Sequence, residues 1–372
     1  MISYWEQKTF YHHRHLIICG AGFTGLSAAI YFKRKFPGKD VLVIEKDPVN
    51  GGASTKNAGF ACFGSASELL ADLKKLNEEK VFHLVSERIR GLQNLRNLLG
   101  DENIGYEPLH GFELFRHNDG LYENCLDHLD YLNEKVRSIT GSNVYNVADK
   151  KIKIFGFENV EHIIENEGEG QVDTGKMYLS LLQLARESGI EILNGILINR
   201  YDENDKCVIL DTTYGKITGD KFLIANNGFA SQILKDSHTI PARAQVLITS
   251  VIKDLKVKGS FHMDEGFYYF RNIDGRVLFG GGRNLDFETE TTAELNLNEM
   301  IQAQLEKILH EIILPDDDFK IEQRWSGIMG FGDEKQIICK QISEGVFCAV
   351  RLNGMGLALS TLLGKEVAEM MG

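Results

Sequence analysis

Three glycines, Gly20-x-Gly22-x-x-Gly25, follow the apolar run His15–Cys19 and open a helical pattern. That spacing suits phosphate binding. Gly20 permits a tight turn, Gly22 lets backbone approach a pyrophosphate, and Gly25 lets the helix lie close to the strand. The first helical turn, with Phe23 and Thr24, offers unpaired N–H groups and a positive dipole end to an anion. Glu45 ends a second apolar run, "DVLVIEKD" at 40–47, where an acid suits a ribose diol. A lone glycine triplet is weak evidence, and a carboxylate at a strand end is often a surface group. In sequence they read as a right-handed βαβ unit built for a dinucleotide.

The stretch "GGASTKNAGF" (51–60) follows at once, rich in small residues and donors. Gly52, Ala53, Ser54 and Thr55 would serve the pyrophosphate, with Lys56 and Asn57 nearer a reactive ring. A simple nicotinamide site does not need this second loop; a flavin buried along its length does.

Other segments must position these residues. Residues 67–100 show a helical pattern with Ser67 as N-cap, and 174–193 read as a helix followed by a strand, with Gly189 at the turn. "KFLIANNGFA" (221–230) is a third buried strand. Between 245 and 282 the pattern is strand-like, with Asp274-Gly275 closing a hairpin. "VFCAV", "NGMG" and "LALSTLLGKEVAEMM" form a last strand, glycine turn and helix. The expected class is α/β: a Rossmann-like FAD-binding domain (1–90, 165–235 and 325–372) with a discontinuous antiparallel-sheet substrate domain (91–164 and 236–324).

Composition narrows the choices. The chain has 372 residues, 43% of them hydrophobic, enough for a large core in two joined domains. Net charge is −12 and no basic stripe occurs, which argues against a nucleic-acid partner. "HHRH" at 12–15 reads as a solvated arm. Six scattered cysteines suggest neither a metal site nor a dithiol centre. No apolar run approaches membrane-spanning length, so no transmembrane segment is expected and a cytoplasmic location is.

The strand–"GAGFTG"–helix, "VLVIEKD" and "GASTKNAGF" resemble the D-amino-acid oxidase superfamily of FAD-dependent oxidoreductases. "GQVDTGKMYLSLLQLARESGIEIL", "FLIANNG", "GFYYFRNIDGRVLFGGGR" and "AVRLNGMGLALS" extend the likeness over nearly the whole chain. It implies FAD as cofactor, with Lys46, Ala58, Asn227, Gly228, Asn353, Gly354, Met355 and Gly356 joining the residues above around it. It also implies oxidation of an amine or amino-acid C–N bond, a hydride passing to flavin N5 and the imine then hydrolysing. Oxygen or an electron carrier would take the electrons. Such chemistry asks mainly for orientation.

Substrate-orienting candidates are Tyr269, Arg271 and Arg351. Phe267, Tyr269 and Arg271 share one face of the hairpin strand, Tyr268 and Phe270 the other. Plain sheet packing is the competing reading for the hairpin, and Arg351 could equally bridge to FAD. Two departures from the family stand out. Glycine oxidase carries a carboxylate-binding arginine in a Trp-Ala-Gly-Leu-Arg-Pro run; "RWSGIMG" (324–330) puts Met329 there. Sarcosine oxidase links its flavin to a cysteine, whereas 325–333 has none, so FAD is expected to be non-covalent. Its oxygen-activating lysine has no obvious match either. Rival readings are an NAD(P)H-using flavoprotein reductase or monooxygenase, and a non-catalytic flavin-binding scaffold. For the first, "GEGQVDTG" (168–175) lacks a preceding strand and reads as a loop.

Overall fold

A computed structural model describes residues 2–117, 119–235, 238–332 and 335–372. Its strands in chain order are β1 (Arg14–Cys19), β2 (Val41–Ile44), β3 (Phe60–Ala61), β4 (Gly111–Arg116), β5 (Tyr145–Val147) and β6 (Val160–Asn166). They continue as β7 (Gly170–Gln171), β8 (Glu191–Leu193), β9 (Ile198–Asn204), β10 (Cys207–Thr212), β11 (Gly215–Ile224) and β12 (Ile240–Thr249). Then come β13 (Ser260–Met263), β14 (Tyr268–Ile273), β15 (Arg276–Gly281), β16 (Ile321–Phe331), β17 (Ile338–Gln341) and β18 (Val346–Val350).

The first sheet runs β17-β18-β11-β1-β2-β8, with the β9–β10 hairpin attached to β11. β1 is parallel to β2 and β11, β11 to β18, and β2 to β8. β1 can sit centrally because both its faces are apolar. Leu16 and Ile18 pack with helix residues such as Leu26 and Leu363, while Ile17 packs with Val208 and Leu210 of the hairpin.

The second sheet runs β16-β12-β15-β14-β13-β4-β6-β5 and is antiparallel except between β13 and β4. β14 alternates as the sequence suggests. Tyr268 and Phe270 enter a core where Phe270 stacks on Phe261 at 4.6 Å, and the other face carries Tyr269 and Arg271. Asp274 (φ 49°) and Gly275 (φ 69°) close the β14–β15 hairpin in the left-handed conformation that matches strand twist. The register sets one transverse row, Trp325–Val246–Gly280–Tyr269–His262, across five strands.

Three expectations are corrected. The helical stretch 67–100 is two helices, Ala66–Leu73 and Glu78–Leu99, with Ser65 at the N-cap position of the first and Asn77 capping the second through its side chain. Ser67 lies inside the first turn, and its N–H and hydroxyl donate to the buried Glu113 carboxyl. "HHRH" is not simply a solvated arm. Arg14 opens β1 and is 1% exposed, its guanidinium donating two 2.7 Å hydrogen bonds to Glu191. The segment 168–175 is more than a loop, since β7 pairs with β3 and Asp173 caps the helix Thr174–Glu187. Among the described residues, no helix is long and apolar enough to cross a membrane.

Candidate active site

A cavity of about 540 Å³ begins where β1, β2 and β11 end, at Cys19, Ile44 and Ala225. It extends to the face of the second sheet that bears Tyr269, Val246 and Met329. Gly20 (φ 104°) makes the tight turn after β1, and a Cβ there would meet Ala225 O at 3.0 Å. A Cβ on Gly25 would overlap the Gly20 carbonyl oxygen. Gly25 therefore lets the helix Phe23–Lys35 start against the strand, and it does not itself line the cavity.

The helix start leaves the N–H groups of Phe23, Thr24 and Gly25 outside the intrahelical ladder. Ser54 Oγ accepts one of them, from Phe23 N at 2.9 Å, which ties the 51–60 loop to the glycine turn. Gly22, Phe23, Thr24, Gly52, Ala53 and Ser54 all line the cavity there. Thr55 does not; its hydroxyl turns back to donate to Asn50 O at 2.9 Å. Glu45 is 6% exposed and faces the same space. Its two carboxylate oxygens accept from Ala21 N (2.9 Å) and Asp47 N (3.2 Å). Lys46 also lines the cavity, its ammonium 3.7 Å from the centroid of the Phe229 ring.

The loop then crosses to the second sheet. Asn57 braces it, accepting from Gly59 N and Thr174 Oγ1 and donating to Ala53 O and Ser54 O. Lys56 O accepts Trp325 Nε1 at 3.0 Å, and Ala58 packs with Val246 and Leu278. On the far side, Asn227 Oδ1 accepts from both Arg351 N (3.0 Å) and Leu352 N (3.3 Å). It holds the Asn353–Gly354 turn (φ 49° and 82°) ahead of Met355, the N-cap, and Gly356, the first residue of the helix Gly356–Met370. Gly228 packs against the Met329 carbonyl, as a Cβ there would stand 2.6 Å from its oxygen.

The three substrate candidates separate. Tyr269 lines the cavity, and burial pushes its phenol up to about 12, so it is a neutral hydroxyl. Arg271 does not reach the cavity. It is 3% exposed, its Nη1 donating to the carbonyls of Ala58, Gly59 and Val172 at 3.3, 3.0 and 2.6 Å. Burial lowers its pKa to about 10, and those carbonyls occupy the charge as a clasp between the 51–60 loop and the hairpin. Arg351 also points elsewhere, its Nε donating to Gln336 O at 2.6 Å. For Arg271 the reason is physical: strand alternation gives a face, not what covers it.

The remaining wall is polar and was not read from sequence. His262 is 8% exposed, packs edge-on to Phe60 at 5.1 Å, and has a buried, unpartnered Nε2; burial keeps its imidazole below the ordinary range. Burial pulls the Glu68 carboxyl upward, but Arg88, Lys335 and His262 outweigh it and the net direction is down. Two thiols, Cys19 and Cys62, line the cavity, and burial raises both, Cys19 to about 12.

The family model described as "FAD dependent oxidoreductase" (DAO) matches residues 15–370. The chain belongs to this family. The "Probable oxidoreductase OrdL" of Rhizobium meliloti (strain 1021) is 27% identical over 368 residues, covering 95% of this chain and 82% of that one. Among solved structures, glycine oxidase from Bacillus cereus ATCC 14579 superposes with TM-score 0.76 at 18% identity, covering 96% and 94% of the two chains. L-proline dehydrogenase from P. horikoshii gives TM-score 0.76 at 16% identity, covering 97% and 94%.

This DAO-family enzyme is an FAD-dependent oxidoreductase, and the cavity fits the cofactor by its own chemistry. Three buried carboxamide oxygens of cavity-lining residues, Asn50 Oδ1, Asn226 Oδ1 and Asn353 Oδ1, have no partner among the described residues. Such atoms are costly to leave unpaired. With the open helix start and the inward Glu45 they make a polar cradle for a long, hydrogen-bonding ligand. No spacing flagged Asn50 or Asn226 beforehand, because an Asn after a strand reads as an ordinary turn residue. The thiols that face the cavity are protonated, which suits a cofactor held without a covalent link.

Proposed function

We propose that this enzyme oxidises a carbon–nitrogen bond of a small amine or amino acid. A hydride leaves the carbon next to a neutral amine nitrogen, and water hydrolyses the resulting imine. When bound, FAD supplies the hydride acceptor at its ring nitrogen N5. The observation that carries this reading is continuity: one cavity joins the dinucleotide cradle to the tyrosine-bearing hairpin. Cofactor binding would use residues 1–90, 165–235 and 325–372, and substrate binding 91–164 and 236–324.

Within it Glu45 would accept from the ribose hydroxyls, and Gly20, Gly22, Phe23, Thr24, Gly52, Ala53 and Ser54 would surround the pyrophosphate. The Asn353–Gly356 turn would present its helix N–H groups to the carbonyl edge of the ring, favouring negative charge there. Tyr269, with its hydroxyl unpartnered among the described residues, would orient the amine. The names of the two solved neighbours, a glycine oxidase and an L-proline dehydrogenase, are consistent with this substrate class.

Anaerobic mixing of the purified holoenzyme with a panel of amines and amino acids tests the proposal. Loss of the flavin's visible absorbance with some member is the expected outcome. Rapid loss with NADPH alone, and with no amine, would overturn it. Reoxidation in air against reoxidation by an artificial carrier distinguishes oxygen from a carrier as acceptor.

A further inference from the structure

The transverse row that runs through Tyr269 and His262 continues one strand further, because His262 pairs with Glu113 of β4 as well as with Tyr269 of β14. Residues paired across strands share a face, and neighbouring strands stand about 4.8 Å apart. Tyr269, His262 and Glu113 therefore form an unbroken line of side chains. Tyr269 lines the large cavity and Glu113 does not. The helix Ala66–Leu73 covers Glu113, which accepts from the Ser65 and Ser67 hydroxyls on one oxygen and from Ser67 N on the other. Between them, His262 borders both the large cavity and a second one of about 10 Å³, whose wall also includes Glu113, Glu169, Tyr145 and Asn166. That volume holds about one water molecule, and the wall supplies the polar partners a buried water needs.

The two ring nitrogens of His262 have different surroundings. Nδ1 is on the large-cavity side, 4.0 Å from where a Cβ on the lining residue Gly266 would stand. Nε2 is fully buried and has no partner among the described residues. An imidazole so placed can take a proton on one nitrogen and release one from the other. The titratable groups around it are Glu68 from the helix Ala66–Leu73, Glu265 after β13, Glu113 from β4, Tyr145 from β5, Glu169 ahead of β7 and Tyr269 from β14. Burial holds the imidazole below its ordinary range, while Glu68 acts in the opposite sense. Burial also pushes Glu113 up to about 7, so its carboxyl can gain or lose a proton near neutrality.

We propose that His262 removes the proton from a substrate ammonium and that Glu113 receives it through a water in the small cavity. This rests on the large cavity being the site of C–N oxidation, a reaction that needs the nitrogen's electron pair free. The ammonium N–H bond breaks and leaves its pair on nitrogen, and Nδ1 gains that proton. Nε2 releases its own proton to the water, which passes one to a Glu113 oxygen. The net change is one neutral amine and one carboxylic acid, with nothing oxidised or reduced. A carboxylate offers about four acceptor sites. Ser65 and Ser67 take three on Glu113, which leaves one for the water. Glu68, kept ionised by Arg88 and Lys335, steadies the imidazolium in between. Glu113 acts only through His262.

The test follows the rate of flavin reduction in anaerobic holoenzyme. It uses the best amine or amino-acid substrate and a fluorinated analogue whose amine is already uncharged at neutral pH. At neutral pH the parent substrate should react roughly a hundredfold more slowly in His262→Phe and about tenfold or more slowly in Glu113→Gln, with the analogue little changed. Raising the pH past the parent's ammonium pKa should bring both variants back toward the wild-type rate. An equal fall for parent and analogue, or an unchanged parent rate in either flavin-bound variant, would overturn the relay. If one variant loses FAD, the other decides by the same criterion; loss of FAD in both makes the row structural and overturns it too. The infrared carbonyl band that Glu113→Gln abolishes gives a readout independent of activity. Its titration midpoint should rise in His262→Phe, because a donor to the water beside the carboxylate is gone. If no amine or amino acid reduces the flavin, C–N oxidation itself fails; an unmoved midpoint refutes the coupling of His262 to Glu113 separately.

Discussion

The two ends of the cavity are built from different materials. At the cofactor end the contacts come from backbone: a glycine turn, two helix starts and loops braced by Ser54, Asn57 and Asn227. At the hairpin end they come from side chains, Tyr269, His262 and Met329 on an antiparallel sheet and Arg283 on the turn that follows β15. Backbone sites tolerate few sequences, because a particular φ or a missing Cβ is required. Side-chain sites tolerate many, because an arginine arriving from another element can serve the same space.

The sharpest way to break the contrast is Gly25→Val. Its side chain would overlap the Gly20 carbonyl, and backbone cannot step aside as a flexible side chain can. We expect little folded protein and no bound flavin, measured as visible absorbance relative to protein in the soluble fraction. A yellow, soluble variant would show that the cofactor end is not held by close backbone approach.

Arg271→Ala should act on stability rather than selectivity. It leaves three buried carbonyls without their shared donor, at a cost of about 3 kcal/mol. The urea midpoint should fall, while the acid-to-amine preference of the flavin-bound fraction stays as in wild type. A changed preference with unchanged stability would move Arg271 from clasp to substrate contact.

Behind the hairpin end lie two buried carboxyls. Glu113 is 3% exposed and accepts from Ser65 and Ser67; Glu169 is 2% exposed and accepts from Phe63 N and Gly64 N. Burial pushes both up to about 7, against the lowering effect of those hydrogen bonds. A folded pKa above the unfolded one makes the protonated form the stable one. Their contribution is thus full below about pH 4.5 and lost as pH rises through about 7. Stability should decline over that window by roughly 3 kcal/mol per group at 1.36 kcal/mol per pKa unit. Denaturant unfolding at several pH values checks the slope, and Glu113→Gln should flatten it. A rise across the window would reverse the assignment.

The smallest effect is expected at Glu45, the buried carboxylate beside the glycine turn. Glu45→Ala removes the acceptor for the N–H groups of Ala21 and Asp47 and, on the proposed reading, for the ribose hydroxyls. At about 1–3 kcal/mol, FAD affinity should fall about tenfold to a hundredfold, read by flavin fluorescence on dilution. An unchanged dissociation constant would leave Glu45 as a loop brace only.

Sequence by itself determined the strand–glycine turn–helix at 14–35, the acid at 45, the donor-rich loop at 51–60, the inward and outward faces of 267–271 and the turn at Asp274-Gly275. Each of these is a local demand on φ, on a missing Cβ or on side-chain alternation, and such demands are written in adjacent residues. Tertiary structure alone decided the break after Leu73, the burial of Arg14, the inward aim of Asn50 and Asn226, and which arginine faces the cavity. Arg271 is spent on carbonyls 212 and 213 residues away in the chain, whereas Arg283 meets rings and, among the described residues, no oxygen. Whether a guanidinium is paired depends on which distant segment covers it, and no local pattern carries that information.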